Sequence, residues 1–294
     1  MSLPETAATG VPLTRRLFSA LGSSAALLAA GCSPVRLLNT LAPDRLAADG
    51  IAYGADSRQR LDIYRPAGIP PFPVLVFLYG GSWDSGARGI YRFLGGAFAA
   101  HGFMTVVPDY RLFPEVRYPT FLQDCAAAMA WTRRNIAAYG GSSAAPTLMG
   151  HSAGAYNAAM LTLDPALLEA VGLSPRHDIG RMIGLAGPYD FLPLDTDELR
   201  AIFGPPAGLP ATQPINHADG GNPPMLLLAG TADHTVRPGN TVRLAGRIHA
   251  RGGPVSYRLY PGVDHLEIVG AISGALRFLA PTFGDSLAFM QGDA

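Results

Sequence analysis

Residues 149–156 read Met149-Gly150-His151-Ser152-Ala153-Gly154-Ala155-Tyr156. The pentapeptide from Gly150 to Gly154 has the form G-x-S-x-G, which a chain with 35 glycines also produces by chance. Its flanks decide its meaning. The apolar Thr147-Leu148-Met149 precedes it and reads as a short strand, and Ala155–Leu163 reads as a helix. A serine between strand and helix, with glycines two positions to either side, sits on a turn too tight for neighbouring side chains. Its hydroxyl then stands clear of the sheet, and the next N–H faces the charge that develops on an attacked carbonyl. The helix start behind it favours negative charge there.

A serine nucleophile needs a base, and the base needs an orienting carboxylate. In open α/β sheets ligands bind beyond the carboxyl ends of strands, so both partners are sought just after later strands. Met225–Ala229 is an apolar run followed by Gly230-Thr231-Ala232-Asp233, and Val255–Tyr260 is followed by Pro261-Gly262-Val263-Asp264-His265. Asp233 and His265 are therefore the candidate acid and base, with Asp190 the alternative acid. The other histidines have plainer readings. His101 and His249 end helices, where positive charge suits the dipole; His151 is the spacer inside the turn; His234 shapes the Asp233 loop. His217 lies in an irregular stretch and is a candidate for substrate contact.

Before the serine, Val74–Tyr79 is an unbroken apolar run, the mark of a strand covered on both faces, and it ends in Gly80-Gly81-Ser82-Trp83. Backbone N–H groups of Gly81 and Ser82, joined by that of Ala153, are the candidate oxyanion donors. Further strands are expected at Arg60–Tyr64, Phe103–Val107 and Met182–Leu185. Helices are expected at Tyr91–Ala100, Pro119–Tyr139, Gly239–Ala250 and Leu266–Leu279. Strands alternating with helices predict an α/β fold with a mostly parallel central sheet and helices on both faces.

The bulk composition narrows the function. The chain has 294 residues, 48% hydrophobic and 15% charged, with zero formal net charge, which offers nothing to nucleic acid or to an anionic membrane surface. All 22 basic residues are arginine. The absence of lysine excludes Schiff-base chemistry, a P-loop lysine and a Ser–Lys dyad. At the N-terminus, Thr14-Arg15-Arg16-Leu17-Phe18 resembles a twin-arginine export signature. The apolar run from Leu17 to Ala30 is shorter than the ~20 residues that span a bilayer and suits a signal peptide. It ends in Leu28-Ala29-Ala30-Gly31-Cys32, which resembles a lipobox with Cys32 as the lipidated residue. The expected organisation is an export signal at 1–31, an N-terminal extension at 32–57, one catalytic domain at 58–282 and a C-terminal tail at 283–294. The expected location is periplasmic or cell-envelope, with the membrane reached only through that anchor. Cys125, in an alanine-rich helical stretch, reads as a small buried hydrophobe.

Taken together, Tyr79–Trp83 and Gly150–Gly154 resemble the α/β-hydrolase branch that holds hormone-sensitive-lipase-like carboxylesterases, kynurenine formamidases and isoprenylcysteine methylesterases. Pro108-Asp109-Tyr110-Arg111-Leu112-Phe113-Pro114-Glu115, Gly187-Pro188-Tyr189-Asp190 and Pro214-Ile215-Asn216-His217 add to the likeness, which covers residues 58–280. The resemblance implies Ser152, Asp233 and His265 as triad, hydrolysis through an acyl-enzyme, no cofactor or metal, and a structural role for Asp109–Glu115 in bracing the oxyanion loop. Tyr79 stands where that branch has histidine. The span from Pro188 to Pro224 is expected to form a small cap, and Trp83, Tyr156, Tyr189 and Phe191 are candidate pocket residues. A small-molecule ester, including acetylated or aromatic ones, is the expected substrate. An amidase or arylformamidase with the same triad and a non-catalytic binding protein are the alternatives.

Overall fold

The computed structural model describes residues 34–292. The predicted export signal and Cys32 lie outside them. From Leu38 onward the chain forms one compact unit, built on an eight-stranded sheet of order β1-β2-β4-β3-β5-β6-β7-β8. The strands are β1 (Leu46–Ala52), β2 (Arg60–Tyr64), β3 (Val74–Leu78), β4 (Met104–Pro108), β5 (Thr147–His151), β6 (Arg181–Leu185), β7 (Met225–Gly230) and β8 (Val255–Tyr260). Only β2 runs against its neighbours; β3 to β8 are mutually parallel. The apolar runs β3 and β7, and β5 with its Thr147 and His151 ends, are buried along their whole length, as strands covered by helices on both faces must be.

The main helices are α1 (Arg92–Ala99), α2 (Thr120–Asn135), α3 (Ala153–Leu163), α4 (Asp197–Phe203), α5 (Gly239–Ala250) and α6 (Thr282–Gln291). Every residue of α3 is buried, which explains its run of alanines: small side chains let it lie close against β5 and β6. Sheet order positions the site. β3 and β5 are adjacent, so the loop after β3 meets the turn after β5, and the turns after β7 and β8 approach from the other side.

Several boundaries differ from the sequence reading. The helix expected over Pro119–Tyr139 is α-helical only to Asn135. It then tightens into a 3-10 turn, Ile136–Tyr139, that Gly140 closes at φ 93°. The long helix expected over Leu266–Leu279 does not form. That span holds a four-residue helix, Glu267–Gly270, and a 3-10 turn, Gly274–Leu276, because Gly270 and Gly274 each weaken a helix by ~1 kcal/mol relative to alanine. The last long helix is instead α6. It occupies the stretch read as a tail from 283 and buries Phe283, Phe289 and Met290. At the other end β1 draws part of the 32–57 extension into the sheet.

The span 188–224 forms the small cap: α4 plus 3-10 turns at Pro206–Thr212 and Pro214–His217. It is tied down by polar contacts. Phe191 N–H donates to Gln213 Oε1, Tyr118 N–H to the Ile202 carbonyl, and Tyr156 Oη to the Thr212 carbonyl at 2.7 Å.

Candidate active site

Ser152 leaves β5 with φ 54° and ψ −123°, a backbone conformation that costs a non-glycine residue on the order of 1–3 kcal/mol. The surroundings hold it there. Its N–H donates to the Leu185 carbonyl of β6 at 2.9 Å. A Cβ at Gly150 would lie 2.1 Å from the Gly154 carbonyl oxygen, and one at Gly154 would lie 2.1 Å from that of Leu78. Both glycines are thus required by contact: the turn folds on itself at Gly150 and presses against the end of β3 at Gly154.

The structure brings the three predicted residues into one chain of hydrogen bonds. Ser152 Oγ lies 2.9 Å from His265 Nε2, and His265 Nδ1 lies 2.7 Å from Asp233 Oδ2. Asp233 has no exposed side-chain surface. Its other oxygen accepts the N–H groups of Thr235 and Val236 at 2.9 and 2.8 Å, so the carboxylate is fully partnered and held as an acceptor. It therefore accepts the hydrogen bond of Nδ1–H, which keeps that proton on the ring and leaves the Nε2 lone pair facing the serine hydroxyl. Asp190 is elsewhere, paired with Arg243 at 2.5 Å.

The loop after β3 lies directly against the serine: a Cβ on Gly80 would meet Ser152 Cβ at 2.8 Å. Gly81, Ser82 and Trp83 all have positive φ, at 132°, 48° and 63°, and the N–H groups of Asp84 and Ser85 close the loop onto the Gly81 carbonyl. Ala153 is the first residue of α3, where backbone N–H groups have no partner within the helix. Tyr79, in place of the branch's histidine, braces this loop by another route. Its buried hydroxyl donates to Asp109 Oδ1 at 2.9 Å and accepts from Arg58 at 3.0 Å. Arg58 also donates to the Gly86 carbonyl, and Arg88 holds the second Asp109 oxygen. Burial, and next the Asp109 charge, push the Tyr79 phenol well above its usual range, so it stays a donor.

The expected pocket residues separate. Trp83 and Tyr156, one helical turn past the serine, meet edge to face with ring centroids 5.1 Å apart, and Phe203 of the cap stands edge-on to Trp83 at 4.8 Å. Phe191 stacks on Trp83 at 6.1 Å. Trp83 Nε1 donates to the buried Asn157. Tyr189 does not join this wall. It is fully buried, its ring against Gly184 and Gly187. His217 also stands apart, bonded to the Ala211 carbonyl within the cap. Phe203, Asn157 and Arg58 escaped the sequence reading, since none carries a local signal and each is brought in by tertiary contact. His151 is likewise more than a spacer. It is buried, its Nε2 lies 2.9 Å from the His265 carbonyl, and burial followed by the His265 charge lowers its pKa to about 3. Among the described residues no group of three or more His, Cys, Asp or Glu is placed to hold a metal ion.

Residues 61–248 match the BD-FAE family model. The chain belongs to the BD-FAE family. It is 29% identical over 236 residues to Esterase LipC of Mycobacterium tuberculosis, covering 73% of this chain and 58% of that protein. It is 28% identical over 240 residues to isoprenylcysteine alpha-carbonyl methylesterase ICME of Arabidopsis thaliana, covering 74% and 56%. The chain thus spans less than two thirds of the length of these relatives. Among solved structures, a truncated carbohydrate esterase from gut microbiota superposes with TM-score 0.75 at 20% identity, over 86% of this chain and 99% of that one. Esterase B of Lactobacillus rhamnosis gives 0.69 at 22%, over 85% and 88%. These likenesses show the α/β-hydrolase fold for this BD-FAE member.

Proposed function

We propose that this BD-FAE family member is a serine carboxylesterase that hydrolyses small or aromatic esters, acetyl esters among them, through an acyl-enzyme. The observation that carries the reading is the chain Asp233–His265–Ser152, with separations of 2.7 and 2.9 Å, ending on a serine held in a strained turn. In the proposed reaction His265 Nε2 takes the Ser152 proton as Oγ attacks the ester carbonyl. The oxyanion forms toward the N–H groups of Gly81, Ser82 and Ala153. His265 then gives its proton to the departing alcohol oxygen, leaving Ser152 acylated. Water, deprotonated by the same imidazole, attacks the acyl carbon, and collapse returns the proton to Ser152 and frees the acid. Asp233 keeps Nδ1–H in place and stabilises the imidazolium.

The preference for short acyl groups is drawn from the packed rings of Trp83, Tyr156 and Phe203, which are buried against one another on the loop, helix and cap that flank Ser152. The twin-arginine-like start, the apolar run and Cys32 support an exported, lipid-anchored protein; mass spectrometry of the mature N-terminus tests that part. The test of activity is hydrolysis of p-nitrophenyl esters from C2 to C8 by the chain from residue 32, with Cys32 replaced, beside Ser152→Ala. Loss of the nucleophile should lower kcat by ~10⁴–10⁶, and rates should fall with acyl length. Equal activity in Ser152→Ala refutes the reading, and cleavage of amides but not esters redirects it to an amidase.

A further inference from the structure

The base in this site must be registered against two separate parts of the sheet. Toward Asp233 the turn carrying His265 is fastened repeatedly: Ala232 N–H donates to the Val263 carbonyl, and Gly262 N–H donates to Thr231 Oγ1. Toward Ser152 it is fastened differently. Among the described residues, two hydrogen bonds join the 261–267 turn to the 147–154 segment. One is the His265–Ser152 contact that the reaction itself must break and remake. The other runs from His151 Nε2 to the main-chain carbonyl of His265 at 2.9 Å.

We propose that His151 is a positioning residue for His265: its Nε2–H holds the backbone of the base in register with the nucleophile while the Ser152 proton is in transit. A carbonyl oxygen only accepts, so Nε2 carries the proton of the His151 ring. Nδ1 is then a lone pair, and it is buried with no hydrogen-bond partner among the described residues. A charged ring would need a second acceptor there. Gly80 lies on that side instead, so close that a Cβ on it would stand 3.1 Å from Nδ1. The ring is therefore fixed in one neutral tautomer. Neutrality matters because its centroid is 4.8 Å from that of His265. A second cation at that range would oppose the imidazolium that forms during acyl transfer. Asp233 is the carboxylate facing the pair, and His265 Nδ1 already engages it.

The inference rests on Ser152 acting as a nucleophile. The test uses the full chain and two variants. His151→Phe keeps a planar ring without the donor, and His151→Gln restores an N–H near the position of Nε2. Two readouts are taken: kcat and KM on p-nitrophenyl acetate, and the rate at which a fluorophosphonate labels Ser152. Misplacing a reacting group by about an ångström costs ~10²-fold. His151→Phe is thus expected to lower kcat and the labelling rate by about 10–100-fold with KM within about twofold, and His151→Gln to recover most of the loss. Thermal melting separates folding from register. A variant with a lowered Tm but a wild-type labelling rate per folded molecule overturns the proposal, as does Gln behaving like Phe. A wild type that labels but cleaves no ester overturns only the ester reading. A wild type that does not label overturns both.

Discussion

Replacing Tyr79 by phenylalanine removes one buried hydroxyl and nothing else, which makes it a clean probe of how the oxyanion loop is held. The hydroxyl donates to Asp109 Oδ1 at 2.9 Å and accepts from Arg58 at 3.0 Å. Hydrogen bonds to charged groups contribute ~1.5–3 kcal/mol each, but neither ion is abandoned here. Asp109 keeps Arg88, through its N–H and its guanidinium, and Arg58 keeps the carbonyls of Tyr110 and Gly86. A net cost of about 2 kcal/mol follows. For a domain of this size that lowers Tm by about 4–8 °C. The loop consequence is separate. Losing one oxyanion donor outright costs ~10²–10³ in rate, and removing a brace loosens donors without deleting them, so kcat should fall by about 10-fold. KM should hold, because the donors act mainly on the transition state. The assay is kcat and KM on p-nitrophenyl acetate beside a thermal melt. A lowered Tm with an unchanged kcat would falsify the link between this network and the oxyanion loop.

Gly154→Ala places a methyl 2.1 Å from the Leu78 carbonyl oxygen, in a contact between main chains that cannot yield. Overpacking of this kind costs ~1–3 kcal/mol or more, and soluble yield and Tm should both drop; a wild-type melt refutes the close approach. His151 predicts an acid effect. Its folded pKa of about 3 lies below the ~6.5 of a free imidazole, so the unfolded chain binds a proton that the folded chain refuses. Stability from this group is complete above pH ~6.5 and is lost as pH falls toward 3, by up to about 4 kcal/mol. Urea unfolding between pH 7 and 4 should therefore show a shallower decline in His151→Gln, and parallel curves refute the assignment. Cys125 is fully buried, and burial raises its thiol pKa. A thiol reagent at pH 8 should leave it unmodified in the native Cys32→Ser chain and titrate it after denaturation; rapid native reaction refutes the packing.

The order of elements and the three residues that meet at the site can be read from the chain without its fold. Val74–Leu78, Thr147–Met149 and Met225–Ala229 are legible because a strand buried on both faces must be apolar throughout. Ser152 and Asp233 are legible because each follows such a run at the end where ligands gather, and His265 because it follows the last strand, an exposed edge strand, at the same end. Helix limits were less legible wherever glycine and apolar periodicity disagreed. Leu266–Leu279 has the residues of a helix but breaks at Gly270 and Gly274, and the true last helix starts after Pro281. The supports of the site are a different matter, and they come from tertiary contact. Arg58 reaches Tyr79 across 21 residues, Phe203 reaches Trp83 only because the cap folds over, and His151 meets a carbonyl 114 positions away. Periodicity and turn residues record how much a segment is buried and where it bends. The partner of a buried hydroxyl, guanidinium or imidazole is set by which strands become neighbours, and that is a property of the sheet order β3-β5-β6-β7-β8 and not of any window of sequence.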